Sequence, residues 1–200
     1  MTLPFSVLLI TDWSRGPHWL LGRVARALEA GPGVAVQHRH PGATDAQHYD
    51  EGLSLARLCA AAGAPLFVNG RVDLALALDA HLHCTTRSLR PDQVRALLPS
   101  RWISTVVHGV DDTASGADLA LVSPVFTPTS KPGDTRPPLG PEGFSALAAR
   151  LPCPAFALGG ITPASAARLG HPPGVAVISA VLEADDPAAA AAALLRATRR

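Results

Sequence analysis

AFALGGITPASAARLGHPPGVAVIS, residues 155–179, decides how this chain folds. Its first run, Ala155–Leu158, is short and apolar and stops at the pair Gly159-Gly160. Thr162-Pro163 then opens a helical stretch reaching Leu169, since threonine before a first-turn proline is a helix-start signal. A second apolar run, Val175–Ser179, begins after His171-Pro172-Pro173-Gly174. Short runs that are apolar at nearly every position and separated by a helix read as parallel strands buried on both faces.

The same unit repeats outward along the chain. Further strands are expected at Ser6–Thr11, Val34–Arg39, Leu66–Asn69, Ala80–His83, Ile103–His108 and Leu119–Val122. Helical patterns fall at Trp19–Ala30, Asp45–Ala62, Val72–Leu78, Pro91–Leu98, Asp112–Gly116, Pro141–Arg150, Pro163–Leu169 and Pro187–Thr198. Asp45–Ala62 carries Leu53, Leu55, Leu58 and Ala62 at helical spacing, which gives it a core-facing stripe. Eight such units predict an α/β protein, a (β/α)8 TIM barrel forming a single compact domain over residues 1–200. A flavodoxin-like open sheet is the other arrangement of such units, and it would leave part of the pattern over.

Composition agrees and narrows the function classes. Of 200 residues 48% are hydrophobic and 16% charged, enough apolar surface for a sizeable core and too much for a disordered chain. A net charge of +1 gives no footprint for nucleic acid or an anionic membrane, so neither is expected as a partner. Cys59, Cys84 and Cys153 form no C-x-x-C pair and suggest neither a disulfide framework nor a zinc ribbon. No basic segment followed by an apolar run opens the chain, and apolar runs break well before the roughly 18 residues of a spanning helix. A cytoplasmic protein is the expectation, with the oligomeric state open, a homo-oligomer included.

In a barrel the chemistry sits at strand C-termini and in the loops that follow them. Gln37 and Arg39 end the second strand on one face, with His38 and His40 on the other. Asn69 and Arg71 end the third, His83 the fourth and His108 the fifth. Phe126–Gly140, reading FTPTSKPGDTRPPLG, is a long Pro- and Gly-punctuated loop after the sixth strand; it holds Ser130 and the only lysine, Lys131. Gly159, Gly160, Ser179 and Ala180 end the last two strands, where backbone N–H groups can approach a phosphate. Arg39 and Lys131 would add cations for phosphate or pyrophosphate. His81-x-His83 puts two imidazoles on one strand face without a cysteine or carboxylate nearby in sequence, so no metal ligand is assigned.

LLITD at Leu8–Asp12, VQHRH at Val36–His40 and FVNGRVDLAL at Phe67–Leu76 resemble, in order, segments of the thiamine phosphate synthase and TenI-type superfamily. LVSPVFTPTSKPG at Leu121–Gly133, PPLG at Pro137–Gly140, ALGGIT at Ala157–Thr162 and GVAVISAV at Gly174–Val181 continue the resemblance over nearly the whole chain. It implies a transferase of thiamine biosynthesis that joins a pyrimidine pyrophosphate to a thiazole phosphate. It implies pyrimidine contact from Gln37, pyrophosphate contacts from Arg39, Asn69 and Lys131, and thiazole phosphate held by Ser130, Gly159, Gly160, Ser179 and Ala180. Mg²⁺ is the cofactor it implies, yet the family's metal aspartates are replaced by Gly70 and, at about the second place, Thr86. Pro41 stands where the family's second strand continues to a lysine, and Val106 where its fifth strand has a serine.

Asn69-Gly70-Arg71 looks more like the TenI-type branch, whose members aromatise a thiazole phosphate tautomer by a metal-free proton shuttle. That branch's histidine after the sixth strand is replaced by Pro124, so His83 and His108 would be the catalytic bases. The leading expectation is a divergent synthase without its usual metal aspartates. The alternatives are a thiazole tautomerase-like enzyme and a non-catalytic binder or regulator that keeps the phosphate site.

Overall fold

The structure, a computed structural model, describes residues 3–127 and 136–198. Eight parallel strands close on themselves: β1 (Val7–Ile10), β2 (Val34–His38), β3 (Leu66–Asn69), β4 (His81–Cys84), β5 (Ile103–Val107), β6 (Leu119–Val122), β7 (Ala155–Leu158) and β8 (Gly174–Val177). Each pairs with the next in sequence, and β1 pairs with β8 through Val7–Val175 and Leu9–Val177, which completes the barrel. Eight helices are assigned among the described residues: α1 (Pro17–Leu28), α2 (Asp45–Ala62), α3 (Val72–Ala77), α4 (Pro91–Val94), α5 (Gly140–Ala148), α6 (Pro163–Ala167), α7 (Ser179–Leu182) and α8 (Pro187–Thr198). None of the described helices is long and apolar enough to cross a membrane.

Local chemistry explains where the helices start. Thr44 and Gln47 form a reciprocal capping box at α2, and Gly63 ends that helix in the left-handed conformation a Cβ would disfavour. Thr162 and Ser165 form the matching box at α6, ahead of Pro163. Pro17 at the first turn of α1 moves that helix's start two residues earlier than Trp19.

Two differences from the sequence pattern concern helices. No helix forms at Asp112–Gly116: the Asp112 carboxylate accepts from the N–H groups of His108 and Gly109 at 2.6 and 3.1 Å, and that local bonding makes a turn. Conversely, Ser179 and Ala180, expected at a strand end, are the first residues of α7.

Alternation along each strand sorts apolar side chains into two layers. Leu8, Ala35, Phe67, Leu119, Phe156 and Ala176 point into the barrel. Phe5 closes its N-terminal end, edge-on to Phe67 and Phe156 at 5.6 Å each and to Trp102 at 5.8 Å. The Phe156 ring lies over Gly174, where a Cβ would come within 2.3 Å of it. Val7, Leu9, Val34 and Val36 point outward and pack with Leu20 and Val24 of α1, Leu55 of α2 and Leu194 of α8. Thr198 and Ser6 hydroxyls meet at 2.7 Å and tie the last helix to the start of β1.

Histidines are buried in both layers. His38, fully buried on the outer face of β2, donates from Nε2 to the His48 carbonyl at 3.0 Å, and burial pulls its pKa down to about 4. His83, on the inner face of β4, is pulled down to about 4 by the same cause. The unfolded chain therefore binds protons near pH 6.5 that the native chain refuses until about 4, so stability falls as pH drops through that window. The unfolding free energy from urea titration should be flat above about pH 7 and fall by about 2 kcal/mol per buried histidine by about pH 5, lowering the midpoint with it. A midpoint unchanged between those two values would contradict it.

Candidate functional site

One inward side chain near the C-terminal end of each strand forms the floor of a cavity of about 440 Å³. Gln37, Asn69 and His83, from β2, β3 and β4, make one half of that floor polar. Val106, Leu121 and Leu158 from β5 to β7, Ile178 just past β8 and Ile10 from β1 make the other half apolar. Such a floor suits a flat ring with hydrogen-bonding groups along one edge. Gln37 is 1% exposed, and its amide Nε2 has no hydrogen-bond partner among the described residues. A buried amide left unpaired costs about 1–3 kcal/mol, so a ligand acceptor there would recover that loss.

Arg39 follows β2 and is half-buried on the cavity wall. Its backbone is fixed by Thr11: the Arg39 N–H donates to Thr11 Oγ1 at 2.9 Å, and Thr11 Oγ1 donates to the Arg39 carbonyl at 3.2 Å. The Trp13 indole N–H donates to the same hydroxyl at 3.1 Å, so this buried threonine uses its donor and two acceptors at once. The Arg39 guanidinium itself has no hydrogen bond or ion pair to a described residue. Burial draws its pKa down, and the field of Asp12 opposes that only in part. A partly desolvated guanidinium with open donors is a site for an anion.

Of the two histidines beside Arg39, His38 faces α2 as the alternation requires. His40 sits at the rim, stacked on Trp13 at 5.6 Å with Nδ1 2.8 Å from Glu51. Arg71 also lines the cavity but is engaged, with Asp45 at 2.7 Å and Asp73 at 2.6 Å, and these carboxylates raise its pKa.

His83 and His108 line the same cavity. His83 Nδ1 is 2.8 Å from Ser104 Oγ, which lies 3.4 Å from the Leu82 carbonyl; a hydroxyl donating there accepts from Nδ1–H and leaves Nε2 as the ring's acceptor. His108 Nδ1 donates to the Ser123 carbonyl at 2.8 Å, which likewise leaves Nε2 for a ligand.

A second cavity of about 220 Å³ adjoins the first, and the two share Leu158, Gly159 and Ile178. Gly160, Ile161, Ser179 and Ala180 line it. The N–H groups of Gly160, Ile161 and Ser179 donate to no acceptor among the described residues. Gly160 has φ +60°, and a Cβ there would lie 2.6 Å from the Thr127 carbonyl oxygen, so only glycine lets the chain pass so close. Ser130 and Lys131 lie outside the described residues.

The described residues do not fit a Mg²⁺ ion, which wants several hard oxygen ligands, usually with carboxylates. Among the described residues no aspartate or glutamate lines the larger cavity, and no group of three or more His, Cys, Asp or Glu side chains could hold a metal. Sequence reasoning overlooked Thr11, Ser104 and Ser123, which orient Arg39, His83 and His108, and Arg87 and Arg136 on the wall. Thr11 does lie in the quoted LLITD run, but its bonds depend on β1 lying beside β2, which only the closed sheet reveals.

Comparison with known proteins places these cavities in context. The family model described as thiamine monophosphate synthase matches residues 7–181. A thiamine-phosphate synthase from Chloroflexus aurantiacus is 38% identical over 176 residues, covering 84% of this chain and 81% of that protein. One from Desulfitobacterium hafniense is 34% identical over 204 residues, covering 98% of each. The solved structure of thiamine phosphate pyrophosphorylase from Pyrococcus furiosus superposes with a TM-score of 0.83 at 29% identity, covering 97% of this chain and 95% of that one.

Thr11→Val keeps the shape and strands two buried donors, the N–H of Arg39 and the indole N–H of Trp13. Urea unfolding should show a loss of about 2–4 kcal/mol, most of it restored in Thr11→Ser. Equal stability of the valine variant and the parent would remove the clamp from the account.

Proposed function

Because the chain belongs to the thiamine monophosphate synthase family, we propose that it forms thiamine phosphate from a pyrimidine pyrophosphate and a thiazole phosphate. The observation that carries this reading is the pair of adjoining cavities, one with a guanidinium open toward the described residues beside a half-polar floor, the other lined by backbone N–H groups with no acceptor among the described residues. Two substrates that each carry a ring and a phosphate group need two anion sites with the rings meeting between them. The shared wall of Leu158, Gly159 and Ile178 is where the rings would meet.

In the reaction the thiazole ring nitrogen bonds to the methylene carbon of the pyrimidine as the carbon–oxygen bond to pyrophosphate breaks. The electron pair leaves with pyrophosphate and the ring nitrogen becomes cationic, so no proton has to move. What the protein must supply is positioning and stabilisation of the departing negative charge. Arg39 and Asn69, with Lys131 from the loop after β6, take the pyrophosphate. Gln37 takes the polar edge of the pyrimidine, and His83 and His108 accept hydrogen bonds at Nε2. Gly159, Gly160, Ser179 and Ala180, with Ser130, take the thiazole phosphate.

A second reading is favoured by His108, whose Nδ1 is committed to a carbonyl and whose Nε2 is therefore available as a base. It is a metal-free proton shuttle on a thiazole phosphate tautomer.

A chromatographic assay of both reactions separates the readings. The first predicts thiamine phosphate from the two substrates, with kcat/KM reduced about 10- to 100-fold in Arg39→Ala. Aromatised thiazole phosphate from the tautomer, abolished in His108→Ala and without any thiamine phosphate, would transfer the chain to the second reading. No product in either reaction, with thiazole phosphate still raising Tm, would leave a non-catalytic binder.

A further inference from the structure

We infer that the larger cavity binds pyrophosphate as the free anion, with arginine side chains occupying the role that a divalent cation would otherwise fill. This rests on the reading of that cavity as a pyrophosphate site and goes beyond it by stating which form of the ligand is recognised.

The charges around the cavity carry the argument. Arg39, Arg71, Arg87 and Arg136 line it, and no aspartate or glutamate does so among the described residues. Asp12, whose field reaches Arg39, lies outside the cavity lining and accepts from the Ser14 N–H at 3.0 Å, and the other nearby carboxylates are engaged as well. Asp45 and Asp73 hold Arg71, Glu51 holds His40, and Asp112 accepts from the backbone N–H groups of His108 and Gly109. A dication entering the cavity would therefore meet cationic side chains and, among the described lining residues, amide and hydroxyl oxygens but no carboxylate.

Arg39 is the centre of the site. Its main chain is pinned by Thr11, its guanidinium is half-buried, and its donors are open to the cavity. Arg87, from the loop after β4, is exposed on the opposite side of Asn69 from Arg39 in strand order. Guanidinium forks match phosphate oxygens two at a time, so arginines from successive loops can spread over both phosphates of one anion. Such a site prefers the more highly charged free anion. Its magnesium complex carries less negative charge and keeps some of its oxygens on the metal. Magnesium then competes for the ligand instead of assisting its binding.

Isothermal titration of inorganic pyrophosphate into the full chain at one fixed pH, with EDTA and then with excess Mg²⁺, tests this. The expected result is binding in EDTA at least as tight as with Mg²⁺, with Mg²⁺ weakening it several-fold. Arg39→Ala and the exposed Arg87→Ala should each weaken binding in EDTA by roughly tenfold. Binding seen only with Mg²⁺, or tightened tenfold by it, would overturn the inference while the pyrophosphate reading survives. No binding under either condition would overturn both.

Discussion

A closed eight-stranded barrel can place only one side chain per strand at each level of its interior, and this chain's site depends on that constraint. The pairing of β1 with both β2 and β8 fixes the register of the whole ring. Once it is fixed, alternation sends Leu8, Phe67, Leu119 and Phe156 to the packed middle of the barrel and one residue from each strand to the mouth. Polarity at the mouth is then decided by which strand carries which residue. Gln37, Asn69 and His83 come from three consecutive strands, so the polar half of the floor is continuous. Moving any one of those residues by a single position would turn it out toward the helices.

Register also explains Arg39. The residue lies one position past the end of β2, where the barrel stops dictating direction, and Thr11 takes over by bonding both its N–H and its carbonyl. Trp13 in turn donates to that hydroxyl and stacks on His40, which is paired with Glu51 of α2. A rack of side chains from the segments after β1 and β2 and from α2 thus holds a cationic group whose donors have no partner among the described residues. Arg71 illustrates the contrast: lining the same cavity, it is neutralised by two carboxylates of its own chain.

Much of this could be read from the amino-acid order alone. Apolar four- and five-residue runs reveal buried parallel strands whatever their neighbours, so all eight strands are legible, five of them displaced at an end by one or two residues. The strand-end residues Gln37, Arg39, Asn69, His83, His108 and Gly159 do line the larger cavity, and Gly160, Ser179 and Ala180 the smaller one, because period-two alternation is a local rule. Non-local pairings stayed hidden. Nothing in the order of residues brings Thr11 to Arg39, Ser104 to His83 or Ser123 to His108, since each bond crosses between strands. The helix expected at Asp112 failed for a related reason: its carboxylate satisfies the N–H groups before it, where a helix cap would serve those after it.

The account's central claim is that two adjoining sites hold two anions and that the larger does so with arginine in the place of a metal ion. A crystal structure of the chain grown with pyrophosphate, thiazole phosphate and Mn²⁺, with anomalous data at the manganese edge, tests it most directly. The account predicts pyrophosphate against Arg39 in the larger cavity, the thiazole phosphate group against Gly160 and Ser179 in the smaller one, and no manganese peak between the anion and the protein. A manganese ion bridging pyrophosphate to side chains of this chain, or both anions bound elsewhere, would contradict it.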